Sequence, residues 1–538
     1  MRPASPAGKA LAVLLLLLQW SSTLGTQGQA TPGAIVETSA GRISGEARER
    51  IRVFRGIPFA APPVGKLRWQ VPQPVTAWTG IHDATKFGPP CPMPAGLGQG
   101  SKGEPGSVHG PGYDIWIAKM EPGSSEDCLT LNVWAPDAKI EKAPVMVFLS
   151  PSGSTTIPFF DGSAFARDGV VFVSPNNRMF TQSMFAHAAL TAAAMPAKPA
   201  GRLQEWDRIA ALEWIRDNIA AFGGDPRNVT LFGESNSAAS ILALMTAPRT
   251  QGLFHKAIIQ SGTSRGPWFS RDATERIGVE LARMAGLDGE KATIEQLLAL
   301  PIDRLPFFAA LTADERLLPQ SVQQAFERGQ THDVALLVGG NTWDGSSLRY
   351  PPARIIERSS AEVLKAYENE GLSGDALGYA IYTDEHVNAP ARWYAAAHAA
   401  KGSPVYHYIY SYVSSFRKQP LGAAHGEELP FVFDSWDQIP ALSNVINDDD
   451  RRVTKMMHAC WIAFARTGKP YCDGVPEWPT YTETTGWTME LGKNSKLHQH
   501  YRKMQYAAHD REHARARAAE RDAREVLDAL REATPEGR

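Results

Sequence analysis

The sequence has almost no net charge and few cysteines. Its 538 residues carry 55 Lys and Arg against 57 Asp and Glu, a formal net charge of -2. A near-neutral chain gives no electrostatic reason to expect nucleic acid or an acidic membrane as the partner. No Cys/His spacing resembles a zinc site, so no metal is expected. These absences leave a small molecule as the expected partner.

The composition is that of a globular protein, with 43% hydrophobic, 21% charged and 9% aromatic residues. Residues 1–30 are predicted to be a signal peptide, because Arg2 and Lys9 precede a short apolar run at residues 10–18 and small residues follow. Nine apolar residues are too few to cross a bilayer as a helix. No later segment is longer. The sequence therefore predicts an exported protein, periplasmic or secreted, without a membrane span.

The four cysteines, Cys91, Cys128, Cys460 and Cys472, all follow the predicted signal peptide. An even number in an exported chain suggests disulfides, and four cysteines allow three pairings. The short separations favour Cys91–Cys128 and Cys460–Cys472. The alternative for Cys460 is a buried thiol, because it lies in an apolar helical stretch.

Strand-like and helix-like segments alternate from about residue 128. The continuous apolar runs typical of strands buried on both faces are residues 145–149, 170–173, 229–232, 257–260 and 335–338. Residues 208–222 have helical periodicity between two of these runs. This alternation predicts an α/β fold with a mostly parallel central sheet flanked by helices. Residues 272–330 are predicted to form helical cap insertions.

One domain is expected to cover residues 31–505, and residues 506–538 are predicted to form a charged C-terminal helix. The arginine, aspartate and glutamate residues of this C-terminal segment suggest a solvated helix with ion pairs between its own side chains. Residues 92–124 are rich in Gly, Pro and Ser and are predicted to be a long loop over a site, where Tyr113 and Trp116 could line the rim.

The most informative motif is Gly233-Glu234-Ser235-Asn236-Ser237, which follows an apolar strand and precedes a helix-compatible run. Strand, tight turn and helix would expose Ser235 at the top of a sheet, as acyl-transfer chemistry requires of a nucleophile. The motif calls for glycine two residues after the serine, and this chain has Ser237.

The chain resembles the type B carboxylesterase/cholinesterase family of α/β-hydrolases. The motifs that carry the resemblance are residues 54–63 (FRGIPFAAPP), 126–136 (EDCLTLNVWAP), 222–230 (FGGDPRNVT), 425–431 (HGEELPF) and 464–468 (FARTG). The resemblance runs from about residue 34 to about residue 490. It implies an α/β-hydrolase fold and a triad of Ser235, Asp344 and His425. In that triad His425 takes the serine proton, Asp344 orients the imidazole, and Ser235 forms the acyl-enzyme.

Several departures from the family pattern fall on one region. Residues 150–154 (SPSGS) stand where the family has His-Gly-Gly-Gly-Phe. Because oxyanion donors are backbone N–H groups, Ser152, Gly153 and Asn236 remain the expected donors. Glycine-only angles at Ser152 would be strained, and Ser237 would cost about 1–3 kcal/mol if the backbone could not adjust. Residues 176–180 and 202–208 also differ from the pattern.

Trp268 resembles the tryptophan that lines the acyl pocket in this family. Trp206 and Trp343 lie near motif loops and are expected to add to the substrate pocket, with ordinary core packing as the alternative for each. Glu234 and Glu428 are expected either to hold His425 or water, or to form structural ion pairs.

The sequence thus predicts an exported serine hydrolase that acts on uncharged carboxylic esters without metal or cofactor. Two alternatives stay open. One is a catalytically silent binding protein on the same fold, and the other is a lactone, amide or thioester hydrolase with the same mechanism.

Overall fold

The computed structural model describes residues 31–92, 123–136, 140–153, 160–194, 201–266, 268–306, 308, 311–348, 350–417, 421–438 and 443–518. The predicted signal peptide and nearly all of the predicted 92–124 loop, including Tyr113 and Trp116, lie outside these residues. Within them, no helix is long and apolar enough to cross a membrane.

Fifteen strands are described. They are β1 Thr31–Thr38, β2 Gly41–Arg48, β3 Ile51–Pro58, β4 Ile81–Asp83, β5 Thr130–Pro136, β6 Ala143–Leu149, β7 Val171–Pro175, β8 Gly224–Glu234, β9 Lys256–Gln260, β10 Trp268–Phe269, β11 Leu311–Thr312, β12 Ala335–Asn341, β13 Val405–Tyr410, β14 Trp487–Leu491 and β15 Lys496–Gln499.

Fifteen α-helices are described. They are α1 Ser163–Arg167, α2 Phe180–Met184, α3 Ala188–Ala194, α4 Leu203–Asn218, α5 Asn236–Leu244, α6 Arg271–Met284, α7 Ile294–Ala299, α8 Val322–Glu327, α9 Ala353–Arg358, α10 Ala361–Ala366, α11 Gly374–Thr383, α12 Ala389–Ala399, α13 Leu429–Phe433, α14 Asp448–Thr467 and α15 Lys503–Ala518.

One large sheet organises the chain, in the order β1-β2-β3-β5-β7-β6-β8-β9-β12-β13-β14-β15, with β4 beside β2. The strands from β7 to β14 in that order are mutually parallel. At the two edges, β1, β2, β3, β5 and β7 pair antiparallel in sequence, as do β14 and β15, whereas β4 pairs parallel with β2. All five predicted core strands are adjacent members of the parallel part. The predicted mostly parallel α/β sheet is therefore confirmed.

Alternate residues of the central strands enter two separate hydrophobic cores. Val145, Val147 and Leu149 of β6 face one core, which α4, α5 and α12 complete. Met146 and Phe148 face the other core, which α13 and α14 complete. Because side chains alternate along a strand, a sheet that is covered on both faces needs the continuous apolar runs seen in the sequence.

A third hydrophobic cluster lies where the sequence predicted helical cap insertions. Ile277 and Leu281 of α6 pack with Leu297 of α7 and with Trp69 and Phe185, which come from elsewhere in the chain. The insertion therefore has a core of its own, and it contacts the main unit through residues that precede the nucleophile motif.

Two disulfides are formed, Cys91–Cys128 and Cys460–Cys472, and each pair of Cα atoms is 5.0 Å apart. The favoured pairing is confirmed. Cys460 is fully buried in α14, as the apolar pattern indicated, but it is bonded rather than free.

The charged C-terminal segment is helical over Lys503–Ala518, and residues 519–538 lie outside the described part. Tyr506 and Ala508 of this helix are buried. The described ion pairs differ from those expected, because they join α15 to other elements rather than to itself. Asp510 binds Arg265 and Arg392, while Arg511 and Arg515 bind Glu362.

We expect Asp510→Asn to lower the free energy of unfolding by about 3 kcal/mol, because it leaves the buried Arg265 without a counter-charge. Urea denaturation measures this change. The control is Glu362→Gln, which removes an exposed partner of Arg511 and Arg515 and should change stability far less. If the two variants lowered the free energy of unfolding equally, burial of the Arg265 charge would not be the source of the loss.

Candidate active site

Ser235 lies in a strained turn between β8 and α5. Its backbone has φ 58° and ψ -129°, outside the regions that ordinary residues favour. Its N–H donates to the carbonyl of Gln260 at the end of β9 (2.8 Å), and its carbonyl accepts from Ala239 in α5 (3.1 Å). A Cβ at Gly262 would lie 2.0 Å from the Ser235 carbonyl, so only glycine fits there. The neighbouring strand thus fixes the turn.

A hydrogen-bonded chain joins Ser235, His425 and Asp344. The Ser235 Oγ is 2.9 Å from the His425 Nε2, and the His425 Nδ1 is 2.7 Å from the Asp344 Oδ1. Asp344 follows β12, and His425 lies in the connection after β13. The three residues come from loops at the same edge of the sheet, the edge at which the sites of parallel α/β folds lie.

The Asp344 carboxylate is fully buried and is held by two donors besides the imidazole. Its Oδ2 accepts from the Asn341 N–H (2.7 Å) and from the Ser261 Oγ (3.1 Å). The backbone N–H of His425 donates to the Ser346 Oγ at 2.8 Å. These bonds fix both partners, so the imidazole has a defined orientation and Asp344 holds its Nδ1 proton.

Glu234 places a second carboxylate beside the catalytic face of the imidazole. Its Oε1 is 3.0 Å from the His425 Nε2, the nitrogen that faces Ser235. Burial lowers the pKa of His425, but the negative charges of Glu234 and Asp344 outweigh it and raise the pKa well above its usual value. Of the two roles considered from the sequence for Glu234, the geometry favours contact with His425.

Glu428 is a third buried carboxyl group, in addition to those of Asp344 and Glu234. It accepts from the Gln260 Nε2 (2.9 Å) and the Asn341 Nδ2 (2.6 Å). Burial and the nearby charge of Glu234 raise the pKa of Glu428 to about 8, so this group is mostly protonated at neutral pH. The carboxyl cluster therefore carries less negative charge than its composition suggests.

The expected oxyanion segment forms a turn in which Ser150 binds two of the expected donors. The Ser152 N–H donates to the Ser150 Oγ (3.3 Å), and the Gly153 N–H donates to the Ser150 carbonyl (3.1 Å). The positive φ falls on Gly153 (66°), while Ser152 is not among the residues with positive φ. The strain expected at Ser152 is therefore absent. The third expected donor, the N–H of Asn236, lies in the first turn of α5.

Ser237 fits without the clash that the missing glycine suggested. Its buried hydroxyl donates to the Ser150 carbonyl at 2.6 Å and accepts from the Arg208 Nη2 at 2.6 Å. The extra atoms thus make hydrogen bonds instead of overpacking the contact between strand and helix.

The three tryptophans expected in the pocket occupy different places. Trp343 directly precedes Asp344. The backbone N–H of Trp343 donates to the carbonyl of Ala423 at 2.8 Å, and Ala423 lies two residues before His425. The Trp268 ring faces the Arg202 guanidinium at 5.7 Å. The Trp206 Nε1 donates to Asp314 at 2.8 Å, and its ring lies under Arg249 and Arg316. The described contacts therefore bring only Trp343 next to the catalytic loops.

Sequence reasoning missed Asn341 and Ser261, which hold Asp344. Ser261 directly follows the predicted strand 257–260, and Asn341 is the last residue of β12, so their positions at the carboxyl edge of a parallel sheet could have identified them. Arg208 was included in the segment 202–208 that differs from the family pattern, but it was given no role of its own. Among the described residues, no cluster of three His, Cys, Asp or Glu side chains could hold a metal ion.

The strand order and the strained serine turn at the sheet edge define an α/β-hydrolase. The chain belongs to the carboxylesterase family, whose model matches residues 32–372 and 375–509.

Phenmedipham hydrolase of Pseudarthrobacter oxydans is 33% identical over 83% of this chain and 92% of its own length. Para-nitrobenzyl esterase of Bacillus subtilis (strain 168) is 31% identical over 85% and 94%. A solved carboxylesterase of Geobacillus stearothermophilus is 30% identical, with a TM-score of 0.75 over 88% of this chain and all of that one. The protein is accordingly a carboxylic ester hydrolase.

We expect Glu234→Gln to shift the acidic limb of the kcat/KM profile to lower pH. A base must be neutral to act, so activity is lost as the pH falls through the pKa of His425. Removing the Glu234 charge lowers that pKa. Rates measured across the pH range for both proteins test this, with Glu141→Gln at an exposed position as the control. An unmoved limb, or one shifted to higher pH, would contradict this electrostatic role.

Proposed function

We propose that the protein hydrolyses uncharged carboxylic esters of aliphatic or aromatic acids through an acyl-enzyme on Ser235. The observation that carries this proposal is the continuous chain from the Ser235 Oγ through His425 to the buried Asp344. A serine hydroxyl is a weak nucleophile, and a base within hydrogen-bond distance is the group that activates it.

In the first half-reaction the Ser235 Oγ attacks the ester carbonyl carbon while its proton passes to the His425 Nε2. The imidazolium that results lies between two carboxylates, Asp344 at Nδ1 and Glu234 at Nε2. His425 then gives its proton to the leaving alcohol oxygen, and the acyl-enzyme remains. Water repeats the sequence in the second half-reaction, with His425 again taking and returning one proton.

The oxyanion that forms at each step needs backbone donors. Asn236 supplies one from the first turn of α5. Ser152 and Gly153 supply the others when the substrate oxygen replaces the Ser150 atoms to which they now donate. The atypical segment therefore keeps the donors of an oxyanion hole, although in this conformation they are engaged within the turn.

The substrate is proposed to be uncharged and small, with Trp343 as an apolar wall. Glu234 and Asp344 surround the ring from which the alcohol accepts its proton, so a negatively charged leaving group is disfavoured there. The names of the relatives, among them para-nitrobenzyl esterase, support an ester substrate. No metal or cofactor takes part in the proposed steps.

We expect Ser235→Ala to lower the turnover of short-chain p-nitrophenyl esters by about 10⁴-fold or more, because it removes the nucleophile. Ester hydrolysis by the purified variant is compared with that of the unaltered protein. Ser39→Ala, at an exposed turn between β1 and β2, is the matched control and should keep full activity. Equal rates from Ser235→Ala and the unaltered protein would exclude Ser235 as the nucleophile.

Export is also proposed, with residues 1–30 as the signal peptide. The two disulfides support it, because such bonds persist in oxidising compartments. We expect the mature protein isolated from its native host to begin near residue 31. N-terminal sequencing measures this, and a protein retained inside the cell with residues 1–30 attached would contradict export.

A further inference from the structure

Arg208 of α4 is a fully buried cation without a carboxylate partner among the described residues. Its guanidinium donates to the Asn177 Oδ1 (3.2 Å) and the Ser237 Oγ (2.6 Å), and it contacts the Met179 sulfur (3.7 Å). Its Nη1 is buried and finds no partner in the described part of the chain. An unpaired buried charge is costly, so its retention requires an explanation.

The charges around Arg208 do not balance it. Arg178 pairs with Asp207 at 2.5 Å, and Arg202 pairs with Glu205 at 2.6 Å, and all four side chains are buried. Among the described residues, this cluster therefore holds three guanidiniums and two carboxylates, and Arg208 is the guanidinium in excess. Burial lowers the pKa of Arg208 to about 10, so the group stays charged at neutral pH.

The contacts of Arg208 converge on the oxyanion segment from two sides. Through Ser237, the first turn of α5 is tied to the Ser150 carbonyl. Through Asn177, whose N–H donates to the Gly153 carbonyl at 3.0 Å, the loop after β7 holds the other end of the turn. A Cβ at Gly153 would lie 2.2 Å from the Met179 Cγ, so Met179 separates the guanidinium from Gly153.

The excess positive charge also lies beside the positive end of the α5 dipole, which is unfavourable in the free enzyme. A negative charge at the oxyanion position would offset both the unbalanced charge of Arg208 and its repulsion by the α5 dipole. Interactions that are better satisfied in the transition state than in the ground state are the ones that raise kcat.

We propose that Arg208 is a positioning residue for ester hydrolysis, which sets the Ser150–Gly153 turn through the Ser237 hydroxyl and favours negative charge at the oxyanion. The proposal rests on the proposed function. It assigns a shared role to Arg208, Ser237 and Ser150, which the family resemblance marked only as departures.

The test compares Arg208→Gln, Arg208→Lys, Ser237→Ala and the double variant Arg208→Gln/Ser237→Ala. Arg216→Gln, an exposed position on the same helix, is the matched control. Each protein is assayed for kcat and KM with a p-nitrophenyl ester. Inhibition by an alkyl trifluoromethyl ketone is measured as well, because this probe forms an anionic adduct with a catalytic serine and so reports binding of the oxyanion.

We expect Arg208→Gln to lower kcat by about 10–100-fold with little change in KM, less than the loss of a direct oxyanion donor. The inhibition constant of the ketone should rise by a similar factor. Arg208→Lys should recover part of both losses, because it keeps the charge. The double variant should be no worse than Arg208→Gln alone, because both residues act through one connection.

Unchanged kcat and ketone inhibition in Arg208→Gln would overturn the proposal. So would a rise in KM alone, the absence of recovery in Arg208→Lys, or additive losses in the double variant. If Arg208→Gln does not fold, Ser237→Ala and Arg208→Lys decide the question by the same readouts. Failure of the proposed function is distinguishable, because the unaltered protein would then lack Ser235-dependent turnover.

Discussion

The imidazole of His425 is the group on which the rest of the site depends. Its two nitrogens face three oxygen-bearing residues from two other parts of the chain: Ser235 and Glu234 at the end of β8, and Asp344 after β12. Those strands are separated in the sheet only by β9, and their parallel register brings their carboxyl ends to one edge. A shift of either strand by one residue would turn a catalytic side chain away from this edge. The packing of the two cores against the sheet therefore also sets the distances of the triad.

Charge is distributed unevenly around the reaction centre. On the imidazole side, Glu234 and Asp344 favour a positive ring, and Glu428 adds little negative charge because its pKa is raised to about 8. On the oxyanion side, Arg208 is an unbalanced cation beneath the turn. In the proposed mechanism, serine attack creates a positive imidazolium on the first side and a negative oxygen on the second. The fixed charges thus match the charge separation of the proposed transition state.

The parts that local pattern determines could be predicted from the sequence. The five central strands follow from apolar runs and the two disulfides from short cysteine separations, whereas the Ser, Asp and His positions were implied by the family resemblance. The 3.0 Å approach of Glu234 to His425 could not be fixed in that way, because its alternatives differ only in tertiary contacts. The ion pairs of α15 were misjudged for the same reason. Helical spacing allows ion pairs inside a helix, but Asp510 binds Arg265 and Arg392, which lie more than a hundred residues earlier in the chain.

The departures from the family pattern are best understood together. Considered singly, Ser237 overfills a glycine position, Ser152 strains a turn and Arg208 is a charge without a partner. In the folded chain the Ser237 hydroxyl joins Arg208 to the Ser150 carbonyl, and Gly153 takes the positive φ that Ser152 avoids. A hydroxyl that accepts a hydrogen bond from a guanidinium is a better donor to the next carbonyl, because such bonds polarise one another. These unusual residues therefore satisfy one another's hydrogen-bonding and backbone requirements, so a substitution at one of them should be judged by its effect on the others.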